Sequence, residues 1–316
     1  MGDAGTAGTD DPVTGDSRSP ALVMLAAGMA TRYGGGCKPL APVGLRGEAV
    51  IDLNASDARQ AGFGRIVVVL GPQSGPAITY HIEQCWPDGL DVALAEQRFP
   101  LGTAHAALCA HRFVGDAPFA LINADDVYGA PSLEELCRFL MRSDEHANVA
   151  YRLADTIVSD EPVTRGTCTA DPDGRLVEMV ERKRVARRPD GRFDSDDGKE
   201  PAVLEPDTLV SVNLWGLHSS VWPVLEAAVA AVHPEVSPDG ELEGEPAGDT
   251  EVLLPEVIGA MVTGRGAGPA QPVRVLEGIG RCIGVTHPGD LPVVRTELAV
   301  MVGQGIRSER VWGVSA

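Results

Sequence analysis

The stretch LAAGMATRYGGGCKPL, Leu25 to Leu40, decides how the rest of the chain is read. An apolar strand ends there on small residues, runs through a glycine-rich loop and closes on Lys-Pro. Small residues let backbone N–H groups approach phosphate oxygens, and Arg32 and Lys38 supply positive charge to the same anion. Two familiar phosphate loops do not fit. A Walker A loop needs Gly-Lys followed by Ser or Thr, whereas the chain has Cys37-Lys38-Pro39, and the dinucleotide pattern GxGxxG fails because Ala30 stands at its second glycine. The plain alternative is a surface turn.

Outward from this loop, apolar strands alternate with helical stretches. ALVMLA (21–26), RIVVVL (65–70), DVALA (91–95) and FALIN (119–123) read as strands, and 48–61, 76–86, 102–112 and 131–142 as helices. That alternation predicts right-handed βαβ units and a parallel sheet covered on both faces. Beyond residue 146 the pattern turns β-rich, at 147–153, 163–170, 174–181 and 208–217, broken by Gly and Pro. The expectation is a Rossmann-like α/β half over 21–146 with an α+β half, 147–290, built onto the same sheet. A helical extension follows over 291–316. Two polar insertions, 182–200 (basic, then acidic) and 234–249 (acidic and proline-rich), read as exposed loops or hairpin tips. Residues 1–20 carry almost no large apolar side chain and read as a mobile tail.

The 316 residues are 44% hydrophobic and 22% charged, enough for a sizeable core. Asp and Glu number 45 against 26 Lys and Arg, a formal charge of −19. Such a surface repels nucleic acid and anionic membranes, so any phosphate site must be a local basic pocket. Apolar runs fall short of the roughly 20 residues of a membrane span, and a cytoplasmic protein is expected. The six cysteines show no CxxC pair and no Cys/His cluster at metal-ligand spacing, which argues against a disulfide framework or a zinc site.

Residues 25–40 resemble the sugar-1-phosphate nucleotidylyltransferases, whose first strand leads into L-A-A-G-x-G-[TS]-R, a spacer and K-P-L. The resemblance spans roughly 21–290. It implies a nucleotide-binding parallel sheet and a reaction that joins a nucleoside triphosphate to a sugar 1-phosphate with release of pyrophosphate. On it, Leu25, Ala26, Ala27, Gly28, Met29, Ala30 and Thr31 line the nucleotide, with Arg32 and Lys38 on the triphosphate. Gln97 with Gly102-Thr103-Ala104 resembles the Q…GTA element that holds the base, although a capped strand-to-helix turn explains GTA equally well. Ile122-Asn123-Ala124-Asp125-Asp126 resembles the strand ending in Gly-Asp, which puts Ala124 by the nucleotide and assigns Asp125 to Mg²⁺ as a catalytic ligand. Asp126 is placed with the acceptor; a capping role is its alternative.

In the second half, Gly166 resembles the glycine that approaches the sugar. Val180-Glu181-Arg182-Lys183 resembles V-E-K-P, giving Glu181 the sugar hydroxyls and Arg182, ahead of Lys183, the sugar phosphate. The proline is missing and Arg182 stands at the lysine position, so a solvated basic hairpin is the competing reading. Asn213, in Ser211-Val212-Asn213-Leu214-Trp215-Gly216, resembles the asparagine that reaches a sugar hydroxyl. Glu256, in Glu251-Val-Leu-Leu-Pro255-Glu256, stands where relatives have the Asp that completes the metal site. The implied partners are a nucleoside triphosphate and a sugar or cyclitol 1-phosphate, the implied cofactor is Mg²⁺, and a homo-oligomer is left open. The alternatives are a binding homologue without turnover, supported by Ala30, Arg182 and Glu256 as departures from the pattern, and a transferase for a non-sugar phosphate.

Overall fold

β1 (Ala21–Ala26) sends Ala21 and Val23 into one apolar cluster and Leu22, Met24 and Ala26 into another. Successive strand side chains point to opposite faces, so an all-apolar strand belongs in a sheet buried on both sides. The computed structural model describes residues 19–28, 37–158, 161–266, 268–285 and 288–312. α1 (Val50–Ala61), β2 (Arg65–Leu70), α2 (Gly75–Cys85) and β3 (Asp91–Glu96) follow in order. β2 repeats the two-faced pattern, with Val67 and Val69 on one side and Ile66, Val68 and Leu70 on the other.

Next come α3 (Thr103–Cys109), α4 (His111–Val114), β4 (Phe119–Asn123), β5 (Asp126–Val127), α5 (Ala130–Leu140) and β6 (His146–Arg152). The helix anticipated over 102–112 is thus two short ones, α3 and α4, meeting at Ala110. α1, α2 and α5 cover one face of the sheet. The other is covered by α3, α6 (Trp222–Val232) and α7 (Leu254–Val262).

The later strands are β7 (Val163–Ala170), β8 (Leu176–Arg187), β9 (Phe193–Asp194), β10 (Val203–Leu204), β11 (Leu209–Leu217), β12 (Val273–Glu277) and β13 (Ile283–Gly284). Among the described residues they extend the sheet to 11 strands in the order β10-β9-β8-β7-β11-β4-β1-β2-β3, with β6 on β11 and β12 on β6. β4-β1-β2-β3 is parallel, whereas β11 runs antiparallel to β4, β6 and β7. The α+β half is therefore joined to the same sheet.

The insertion at 182–200 begins inside β8 and is a hairpin whose Val185 and Phe193 pack in a small cluster with Leu153, Ile157, Leu204 and Val210. The other insertion, 234–249, is pinned to α3. A Cβ on Gly240 would lie 2.8 Å from the Cys109 nitrogen, and the Gly240 carbonyl accepts from His105 Nε2 at 2.9 Å. α8 (Leu291–Gly303) packs Val294 and Leu298 against Val50 and Leu53 of α1, and the segment after it wraps the same helix. Arg307 there forms two bonds, at 2.8 and 2.9 Å, with the buried Asp57 carboxylate.

Candidate functional site

The carboxyl ends of β1, β2 and β4 meet around the start of the glycine-rich loop, where ligands bind in open parallel sheets. Ala124 N donates to Leu25 O at 3.1 Å, and Ser74 Oγ donates to Ala26 O at 2.9 Å. A Cβ on Gly71 would sit 2.7 Å from the Ala27 carbonyl oxygen, so only glycine allows β2 to end this close to the loop. Leu25, Ala26, Ala27, Gly28 and Ala124 are thus gathered at one sheet edge. Met29, Ala30, Thr31 and Arg32 lie outside the described residues.

Lys38 opens a short 3₁₀ turn, Lys38–Leu40, with Pro39 as its second residue, and its Nζ lies 3.7 Å from Asp125 Oδ2. Burial, and the neighbouring Asp126 charge, push the Asp125 carboxyl up to about 6 against the opposing pull of Lys38. Asp126 is held from three sides. Asn123 Nδ2 donates to its Oδ2 at 3.0 Å, Asn54 Nδ2 donates to its backbone oxygen at 2.8 Å, and β13 pairs with it through Gly284. A Cβ on Gly284 would come 2.2 Å from Asp126 Oδ1. Asn54 and Gly284 escaped the sequence reading; the signal was Asp52, Asn54 and Asp57 on the buried face of α1.

Beside Asp126 opens a cavity of about 400 Å³ between the β7–β8–β11 sheet and α7. Asp126, Gly166, Glu181 and Asn213, which the sequence reading assigned to the acceptor, line it together with Asn123 and with Glu256, which that reading assigned to the metal. Gly166 pairs with Glu181 on one side and Ser211 on the other. Asn213 sits in a bulge of β11 with φ 61°, a left-handed conformation that asparagine tolerates better than most residues. Its Oδ1 accepts from Trp215 Nε1 at 3.3 Å. Glu256 is on the first turn of α7; neither a hydrogen bond nor an ion pair joins it to Asp125 among the described residues. No group of three or more His, Cys, Asp or Glu side chains converges on a cation position among those residues.

Arg182 is elsewhere, which corrects its assignment to the acceptor phosphate. Glu181 faces the cavity, and strand alternation turns Arg182 to the opposite side. It is 1% exposed there, bonded to Asp197 at 2.8 Å and to the Lys199 and Pro201 carbonyls. Lys183 is on the exposed surface, 3.5 Å from Glu181 Oε1.

The Q…GTA segment forms a second focus. Gln97 Nε2 donates to Gly102 O at 2.9 Å and to His105 Nδ1 at 3.1 Å. The Gly240 carbonyl takes the Nε2–H of His105, leaving Nδ1 as an acceptor, and burial lowers the pKa of this ring. Both amide hydrogens of Gln97 are therefore committed and Oε1 alone is free to accept. Gly102 (φ 96°) passes so close to Val252 that a Cβ would lie 2.4 Å from its carbonyl oxygen. Thr103 Oγ1 does not cap its own helix; it accepts from Leu254 N at 2.8 Å, fixing the start of α7 and thus one cavity wall.

The curated relatives match this chain in sequence over part of their length. The chain is 32% identical over 165 residues to the bifunctional protein GlmU of Geobacter sulfurreducens, covering 52% of this chain and 33% of that protein. It is 36% identical over 96 residues to a glucose-1-phosphate thymidylyltransferase of Streptomyces antibioticus, 30% of this chain and 26% of the relative. The chain thus spans about a quarter to a third of these proteins. The solved structure of the inositol-1-phosphate CTP transferase from T. maritima superposes with a TM-score of 0.62 over 92% of this chain and 98% of that one, at 14% identity, and so shares the fold. Residues 22–212, more than half of the chain, match the MobA-like NTP transferase domain, and the chain belongs to that family.

Proposed function

We propose that the protein is a nucleotidylyltransferase that joins a nucleoside triphosphate to a sugar or cyclitol 1-phosphate, giving the nucleotide-activated product and pyrophosphate. The observation that carries this is the partly exposed Lys38–Asp125 ion pair where the chain leaves the glycine-rich loop, next to a cavity of about 400 Å³ lined by Asp126, Glu181 and Asn213. An acceptor phosphate oxygen attacks the α-phosphorus in line; the new P–O bond forms as the bond to pyrophosphate breaks. The acceptor phosphate is already a nucleophile, so the protein's work is positioning and charge stabilisation. Lys38 offers its ammonium to the phosphates, and the family resemblance assigns Arg32 to the same triphosphate. Glu181, Asn213 and Asn123 offer hydrogen-bond partners to ring hydroxyls.

A hard cation fits Asp125. Its carboxylate is one third exposed, beside a second acid and with one lysine to compensate, and Mg²⁺ is commonly held by one or two carboxylates plus substrate phosphates. Asp125 would hold the ion, with Asp126 beside it; Glu256 lies across the cavity. Bound there, Mg²⁺ supplies positive charge to the phosphate oxygens. Relatives named for glucose 1-phosphate and a fold neighbour named for inositol 1-phosphate and CTP support both acceptor classes. No helix among the described residues is long and apolar enough to cross a membrane, in keeping with two soluble substrates.

Pyrophosphate release tests the reading, with ATP, CTP, GTP, UTP and dTTP each crossed with glucose 1-phosphate and inositol 1-phosphate. One pairing should turn over, and Asp125→Asn should lower its kcat at least about a hundredfold while the fold stays intact. Near-normal turnover of that variant would remove Asp125 from the chemistry. No release from any pairing by the wild type would end the proposal.

A further inference from the structure

With Arg182 facing away, the cavity needs another cation for the acceptor's phosphate. Two arginines are among its described lining residues, Arg165 on β7 and Arg265 just beyond α7. Arg265 is exposed and is held by one bond, from Nε to Thr263 Oγ1 at 2.9 Å. Arg165 is built in. Its Nε donates to Thr156 Oγ1 at 3.0 Å, Nη2 to Thr156 O at 2.6 Å and Nη1 to Thr164 O at 2.8 Å. Thr156 is itself 1% exposed and bonded to Leu153 O, so the anchor is rigid.

All three of those acceptors are uncharged, and among the described residues no carboxylate pairs with Arg165. Three of five guanidinium N–H groups are used, which leaves two for a ligand. A fixed guanidinium without a counter-ion, in a chain of net charge −19, invites an anion. It lines the same cavity as Asp126.

We propose that Arg165 receives the phosphate of the acceptor, holding its nucleophilic oxygen at the end of the cavity nearest Asp125. Planar, fork-like donation suits a phosphate, and the neutral Thr156 anchor fixes the fork without cancelling its charge. The surrounding Asp126, Glu181 and Glu256 then face the ring and disfavour an acceptor carrying a second acidic group there. This assignment rests on the acceptor reading of the cavity given above.

The test separates the two. Inorganic phosphate and glucose 1-phosphate are titrated into the wild type, Arg165→Gln and Arg165→Lys and followed by ³¹P line broadening, with melting temperatures as the control for folding. Both anions should bind the wild type, about tenfold or more weaker to Arg165→Gln, and with intermediate affinity to Arg165→Lys. In turnover, the KM of the acceptor should rise about tenfold in Arg165→Gln while that of the nucleoside triphosphate stays put. Guanidinium ion added to Arg165→Ala should restore part of the loss, which a merely structural role would not show. Equal anion affinity in wild type and folded variants overturns the proposal, as does a wild type that binds neither anion, or an equal rise in the triphosphate KM. Arg165-dependent phosphate binding in a chain that releases no pyrophosphate would instead retire the reaction and keep the anion site.

Discussion

Arg182 and Asp197 are 1% and 3% exposed in their side chains, and the guanidinium also serves the Lys199 and Pro201 carbonyls. The Asp197 carboxyl is held well below the usual carboxylate range, above all by the Arg182 hydrogen bonds. Removing one partner of such a pair strands a buried charge, so Arg182→Met should destabilise the chain by about 3–5 kcal/mol in urea unfolding. Once folded it should show an unchanged KM for the acceptor phosphate; a clear rise would bring Arg182 back to the substrate. Lys38 and Asp125 were legible in the sequence because each stands at a fixed register of its motif. Arg182 was not, since its partner comes 15 residues later in an insertion whose path no local pattern specifies. The orientation of Gln97 belongs to the same class. His105→Phe removes the acceptor that fixes one amide hydrogen, and the KM of the nucleoside triphosphate should rise several-fold with that of the acceptor unchanged. No change in steady-state kinetics would mean that Gln97 does not face the nucleotide.

Among the elements, α1 shows how polar residues on a buried face report tertiary work. Asp52 accepts from Ala49 N at 2.8 Å at the start of the helix, from Trp86 Nε1 at 2.7 Å, and from His81 Nε2 at 2.8 Å. The Asp52 hydrogen bond raises the pKa of His81 in the folded chain. The charged pair therefore stabilises fully below the unfolded value of about 6.5 and fades as pH rises through the higher folded one. The stability difference between wild type and His81→Gln should be larger at about pH 5.5 than at about pH 8.5. Equal differences in urea unfolding would show that the pair carries no such charge. The strands of the parallel half were legible as apolar runs with clear ends. The docking of 234–249 was hidden, because a polar, proline-rich composition describes exposure and says nothing of one glycine carbonyl inserted against α3.

At the scale of the molecule, the change of pattern near residue 146 signalled a β-rich part built onto the same sheet, whereas the strand that makes the join was not readable. β11 makes the join: Trp215–Leu217 pair with Leu121–Phe119 of β4, while Val210 and Ser211 pair with Thr167 and Gly166 of β7. The reason is topological, since a strand late in the sequence returns to the edge left open by β4. Backbone pairing thus passes from β1 through β4 and β11 to β7 at the cavity, interrupted only at the β11 bulge around Asn213. Enzymes whose halves hang on flexible linkers shut like jaws around two substrates, but here such a swing would tear a ladder. Order of arrival and exclusion of water must then be governed by loops at the rim, and the envelope of the particle should hardly change. Small-angle scattering with and without both substrates should give the same radius of gyration; a marked contraction would mean that the sheet bends at β11 after all.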